Sequence, residues 1–156
     1  PVAEISNLFG GPETEAVGIY LTVTGSANGH LMLMYQPHIA CGFIDLLMGQ
    51  PPETTTSIDP MGKSALGEMG NIIGAFFLNA IADATGLSLS PSPPMVMTDM
   101  AGALLDVVSA DILATQDETY LAEATFLTEG YDISGVFMVM PTEELLSALV
   151  ASTQAA

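Results

Sequence analysis

The chain has 156 residues, 49% of them apolar, enough for one domain with a substantial core and too apolar for a disordered segment. Eighteen acids face one base, Lys63, for a formal charge of −17, which excludes nucleic-acid binding and docking on an anionic membrane surface. The single cysteine, Cys41, excludes an internal disulfide and fits a reduced, cytoplasmic setting.

Strand-like segments come first, over residues 2–8, 16–24 and 30–35, the last two joined by the hairpin-type run Gly25-Ser26-Ala27-Asn28-Gly29. A helix follows over 37–47, with Gly49 as its C-cap and Pro51-Pro52 as a firm stop. Residues 53–57 read as a polar loop. A long helix starts near Asp59, with Pro60 suited to its first turn, and ends at Gly86. A Ser/Pro loop over 88–94 leads to a short strand at 95–98. A short helix over 100–107, N-capped by Asp99, is expected next. Strands are then expected around 109–114, at 120–128 and at 134–140, the last pair joined through Glu129-Gly130-Tyr131-Asp132. A final helix runs from Pro141-Thr142-Glu143-Glu144 to about Ser152. No apolar stretch of about 20 residues and no signal peptide is expected, hence no membrane span.

The chain echoes itself. Gly29-His30-Leu31-Met32-Leu33-Met34 and Gly135-Val136-Phe137-Met138-Val139-Met140 are each followed by a turn and a helix, and Pro1-Val2-Ala3 parallels Pro94-Met95-Val96. The pattern reads as two copies of one α/β unit about a pseudo-twofold axis. The expected fold class is therefore α/β: a two-layer sandwich with internal duplication, long helices packed on a mostly antiparallel sheet.

On the long helix, Ser64, Glu68 and Asn71 stand at i, i+4, i+7 and share one stripe. Leu66, Met69, Ile73, Phe76, Phe77, Ala80 and Ala84 form the opposite face, expected to be the buried one. Gly67, Gly74, Ala65 and Ala75 flank the stripe. Each glycine costs about 1 kcal/mol relative to alanine, a cost that fits close approach by another protein. A carboxylate and a carboxamide one turn apart on an otherwise apolar helix fit water-positioning chemistry on a partner. An ordinary amphipathic helix with a polar outside is the alternative.

Other candidates are weaker. His30 and His38 have no ligand set at metal spacing, so no metal site is expected. Cys41 lies in an apolar run and reads as a buried small hydrophobe. Met32, Met34, Met138 and Met140 read as core. Gly10-Gly11-Pro12 lacks the lysine and helix of a phosphate loop, and Ser64 has no histidine at usable spacing to act as a nucleophile's base.

The run Ser64-x3-Glu68-x2-Asn71-x22-Pro94, with Glu68-Met69-Gly70-Asn71-Ile72-Ile73-Gly74 and Pro93-Pro94-Met95-Val96-Met97-Thr98-Asp99-Met100 around it, resembles the signature of the CheC/CheX/FliY family of chemotaxis phosphatases. The likeness to CheC covers essentially the whole chain, read as a single CheC-like domain. CheC proteins often carry two such helices and this chain holds one, so that by the resemblance either the first-copy helix is missing here or the chain is a single-site form. It implies hydrolysis of the aspartyl phosphate of a CheY-type response regulator. Asn71 would hold the attacking water, Glu68 would pair with the regulator's lysine, Ser64 would support orientation, and Pro94 would shape the loop returning to the sheet. No cofactor of its own is implied, Mg²⁺ being expected on the partner. The segment around Asp99 matches the CheC region that contacts the receptor deamidase CheD. A non-catalytic module binding a receiver domain or CheD is the second function class.

Overall fold

The computed structural model describes residues 2–112, 120–128 and 131–154. Its elements are α1 (Val2–Ile5) running into a 3-10 turn (Ser6–Phe9), β1 (Glu15–Gly25), β2 (Gly29–Tyr35), α2 (Pro37–Leu47), α3 (Pro60–Thr85), β3 (Leu89–Pro91), β4 (Met95–Met100), α4 (Ala101–Ile112), β5 (Tyr120–Thr128), β6 (Tyr131–Pro141) and α5 (Glu143–Gln154). The six strands form one sheet in the order β3-β1-β2-β6-β5, with β4 also pairing β1, so that β3 and β4 lie end to end along one edge of β1. Every pairing is antiparallel.

Alternation in β1 sends successive side chains to opposite faces. Val17, Ile19, Leu21 and Val23 join Leu31, Leu33, Tyr35 and Phe137 under Phe43 and Ile44 of α2 and Leu66, Met69 and Leu78 of α3. On the other face Met32, Met34, Val136, Met138 and Met140 pack with Ile5, Phe9 and the Ala101, Leu104, Leu105 and Val108 face of α4. The Met-rich strands are thus core, and Cys41 is buried. The echoed segments are neighbours in the sheet. They pair antiparallel about Met32 opposite Met138, with His30 opposite Met140 and Met34 opposite Val136.

Terminal chemistry sets α3. Asp59 is its N-cap, its Oδ1 accepting from Gly62 N at 2.7 Å, and Pro60 opens the first turn. Gly86 ends the helix in the left-handed region at φ 72°, where its N–H donates to Ala82 O at 2.8 Å. The approach to α3 is also fixed. The carboxylate of fully buried Asp45, on α2, accepts from Thr54 N at 3.0 Å, from Thr55 N at 2.9 Å and from the Thr55 hydroxyl.

Several expectations are corrected. Residues 2–9 are helical, not a strand. Ile5 and Phe9, four apart, are buried while Leu8 is exposed, and Gly10, at φ 97°, closes the turn. Val2 and Ala3 therefore do not parallel Met95 and Val96, which lie in β4, and Pro1 lies outside the described residues. Residues 109–112 continue α4, because Ala101, Leu104, Leu105 and Val108 keep helical spacing against the core. Residues 113–114 and 129–130, assigned to a strand and a hairpin, lie outside the described residues. A short strand, β3, stands inside the expected Ser/Pro loop and pairs Val23–Gly25.

The buried side of α3 also differs from expectation. Gly62, Leu66, Gly67, Met69, Gly70, Gly74, Leu78 and Ile81 are buried, whereas Phe76 is 80% exposed and Ala80 and Ala84 are exposed. The glycines meet this chain's own sheet rather than a partner. A Cβ at Gly70 would overlap Ile19 Cγ2, one at Gly74 would lie 3.2 Å from Leu21 Cδ2, and one at Gly62 2.8 Å from Ile44 Cδ1. By length and composition alone α3 is apolar enough to cross a membrane, contrary to the sequence expectation. In the fold it lies along the sheet.

Candidate functional site

The same glycines position the candidate site. Pro94 Cγ lies 3.7 Å from where a Cβ at Gly67 would stand, and Pro94 Cβ lies 3.8 Å from that of Gly70. The proline ring thus rests on a one-turn notch in α3, next to Glu68 and Asn71. Between helix and loop runs an open groove of about 520 Å³ lined by Ser64, Gly67, Glu68, Asn71, Pro91, Ser92, Pro93 and Pro94.

Ser64, Glu68 and Asn71 are all exposed, and Pro94 is half-buried beneath the groove. Among the described residues, no side-chain hydrogen bond engages Ser64, Glu68 or Asn71. The carboxylate and the carboxamide are free to meet something from outside. Both stand on a helix interior whose opposite flank is seated on the sheet through Leu66, Met69 and Gly70.

Ser92 was not singled out by sequence reasoning. It sits where β1 passes from β4 to β3. Its Oγ accepts from Thr22 N at 2.9 Å and its N–H donates to Thr22 O at 2.8 Å. This pair pins the turn that carries Pro93 and Pro94. No local sequence signal marks it, since the partner is 70 residues away.

Asp99 is not brought into the groove. It is the next-to-last residue of β4, opposite Ala16, and exposed. It is not the N-cap of α4. Its Oδ1 accepts from the adjacent Met100 N at 2.7 Å. The first α4 amides are satisfied instead by the distant loop that leads into β1, Ala101 N donating to Thr14 O at 2.8 Å and Gly102 N to Pro12 O at 2.9 Å.

The other titratable candidates lie elsewhere. His30 Nδ1 and Tyr20 Oη are 2.6 Å apart with the rings stacked, on the sheet face away from α3. His38 is exposed near the start of α2. Burial, reinforced by the Asp45 carboxylate, pushes the Cys41 thiol up, away from nucleophilic use.

A helix laid across an antiparallel sheet, with an exposed acid–amide pair beside a proline turn, is the arrangement to set beside known proteins. The model of the CheC-like family matches residues 61–98, the segment holding every groove residue. The CheY-P phosphatase CheC of Bacillus subtilis is 29% identical over 157 residues, spanning 96% of this chain and 75% of that protein. In fold, FliY of Thermotoga maritima matches with a TM-score of 0.74 at 19% identity, covering 99% of this chain and 77% of that one. CheX in the CheX–CheY–BeF3–Mg complex of Borrelia burgdorferi matches at 0.52 and 16%, covering 90% of this chain and 92% of that one. The resemblance to the CheC/CheX/FliY family of chemotaxis phosphatases is therefore borne out in sequence and in fold.

Proposed function

We propose that this chain is a phosphatase that hydrolyses the aspartyl phosphate of a CheY-type response regulator in the cytoplasm. The observation that carries the reading is the pair Glu68 and Asn71, exposed, without partners among the described residues, and set beside the Pro93-Pro94 wall. The names of the relatives, a CheY-P phosphatase and a CheX in complex with CheY, support the choice of substrate.

Hydrolysis of an acyl phosphate needs water held in line with the leaving carboxylate, and positioning supplies most of the acceleration. In the proposed mechanism Asn71 enters the receiver's pocket and holds that water with its amide. Glu68 fixes the docking by pairing with a receiver lysine. Ser64, one turn earlier, supports the orientation of Glu68, and Pro94 sets the depth of the groove. Positive charge at the phosphoryl group, including Mg²⁺, belongs to the receiver, and this chain supplies no cofactor of its own. A contact of the Asp99 segment with CheD is proposed on the resemblance alone.

The test is the decay of a phosphorylated receiver with and without the protein. Asn71→Ala is expected to slow the accelerated decay by one or more decades while leaving the thermal midpoint unchanged, because the residue is exposed. Equal decay in both would remove the enzymatic reading. Binding without turnover in the wild type would select a non-catalytic module.

A further inference from the structure

We propose that Ile72 and Phe76 form the apolar half of the surface on which the phosphorylated receiver docks, continuous with Glu68 and Asn71. The inference rests on the proposed function and adds to it a site that holds the partner without taking part in the chemistry. Phe76 is 80% exposed and Ile72 59%, unusual for such residues in mid-helix. At 100° per residue, Glu68, Ile72 and Phe76 follow one another at steps of four and lie on one ridge about 12 Å long. Asn71 lies to one side of that ridge, over the groove.

Two arguments assign the ridge to the receiver. The first is continuity. Glu68 and Ile72 stand on the exposed face between Asn71 and Phe76, so a folded partner broad enough to span that face meets both the polar pair and the apolar ridge. A specific interface takes about 800 Å² per partner, far more than a carboxylate and a carboxamide present. The second is charge. With 18 acids and one base this chain cannot attract an acidic phosphorylation pocket at long range. Affinity must then come from short-range burial, and exposed Ile and Phe beside the polar pair are the groups able to provide it. Interfaces concentrate their energy in such anchors, with polar groups fixing the register.

The experiment measures kcat and KM for a phosphorylated CheY-type receiver, and Kd for the beryllofluoride-loaded receiver, with the wild type, Ile72→Ser, Phe76→Ser, Phe76→Leu and Asn71→Ala. Loss of either apolar side chain is expected to raise KM and Kd at least tenfold with kcat within twofold. Phe76→Leu is expected to stay within threefold of the wild type. Asn71→Ala is expected to do the reverse, losing kcat and keeping Kd. Wild-type binding that Phe76→Ser weakens tenfold, without turnover in the wild type, would sustain the docking surface while the proposed function fails. Unchanged KM and Kd in both serine variants, or no receiver binding by the wild type, would overturn it. So would a wild-type dimer that Phe76→Ser dissociates with receiver affinity unchanged, since a second copy would then own the ridge.

Discussion

Replacing Gly70 by alanine separates the two uses that a glycine-rich helix can have. Helix propensity alone favours the change by about 1 kcal/mol. The structure opposes it, because the new methyl would overlap Ile19 Cγ2. Ile19 is fully buried, and Cγ2 sits on its stiff branched carbon, so no side-chain rotation clears the space. The helix must lift, and overpacking of this kind costs about 1–3 kcal/mol. With so rigid a neighbour the upper part of that range applies, and the net loss is about 1–2 kcal/mol. For a chain of this size that lowers the thermal midpoint by about 2–8 °C. Gly67→Ala is the internal control. Its methyl would meet Pro94 Cγ and Val96 Cγ2 at 3.7 Å, ordinary contact, so propensity prevails and the midpoint rises by about 2–4 °C. Differential scanning calorimetry on the two variants reads both signs. In a double-mutant cycle, Ile19→Ala should cost at least 1 kcal/mol less in the Gly70→Ala background than in the wild type. A rise in midpoint for Gly70→Ala matching that of Gly67→Ala would refute the close helix–sheet contact and return the glycines to an external role.

Three further outcomes are expected. Asp45→Ala removes a fully buried acceptor of three hydrogen bonds and leaves Thr54 and Thr55 donors without it; urea denaturation should show a loss of about 3 kcal/mol, and a loss under 1 would mean that the 50–56 loop does not hold the start of α3. Added salt should raise the thermal midpoint and speed association with a receiver, because screening shortens from about 30 Å at 0.01 M to about 8 Å at 0.15 M against a charge of −17; a fall in either with salt would contradict the like-charge reading. Burial pushes the Tyr35 phenol well above its ordinary value, so stability should be complete below about pH 10 and then fall by up to about 1.4 kcal/mol per pH unit as the unfolded chain ionises first; Tyr35→Phe should lose that slope in denaturation curves, and an identical slope would assign it to other groups.

The parts legible in the sequence are those with local punctuation. Pro37 opens α2 as expected, whereas its C-cap is Met48 and the left-handed Gly49 follows one residue later; Asp59-Pro60 and Gly86 bound α3 because a cap, a ring-locked first turn and a left-handed stop act within a few residues. The stripe of Ser64, Glu68 and Asn71 was legible for the same reason, as was its exposure. The buried side of α3 was not. A helix apolar nearly all round gives little periodic contrast, and which flank lies inward is decided by Ile19, Leu21 and Ile44 filling glycine notches, a fact of the sheet and of α2 rather than of the helix. The helical start at residues 2–9 was hidden because its anchor, the α4 face around Leu104, lies about a hundred residues on. Ser92 and Asp45 act through the backbone of Thr22, Thr54 and Thr55, and a lone serine or aspartate in sequence says nothing about which amides it will meet.

Rigidity and incompleteness in the groove belong together. Its described walls carry one carboxylate, one carboxamide, two hydroxyls and three proline rings, with no positive charge among them. A phosphoryl group is anionic, so such a surface is repelled by its proposed substrate unless the molecule bearing the phosphoryl group brings the compensating charge. Half a site can still accelerate a reaction, provided that the missing half arrives in one orientation and the amide needs no rearrangement on arrival. The features that look costly in isolation meet that requirement. Glycines that weaken α3 let it seat directly on Ile19 and Leu21. Pro94 locks into the notch they leave, and Ser92 ties the turn to β1. If Asn71 acts as proposed, these seated backbone positions set where its amide is presented, and the proposed Ile72–Phe76 ridge, rather than the groove, would carry discrimination among receivers.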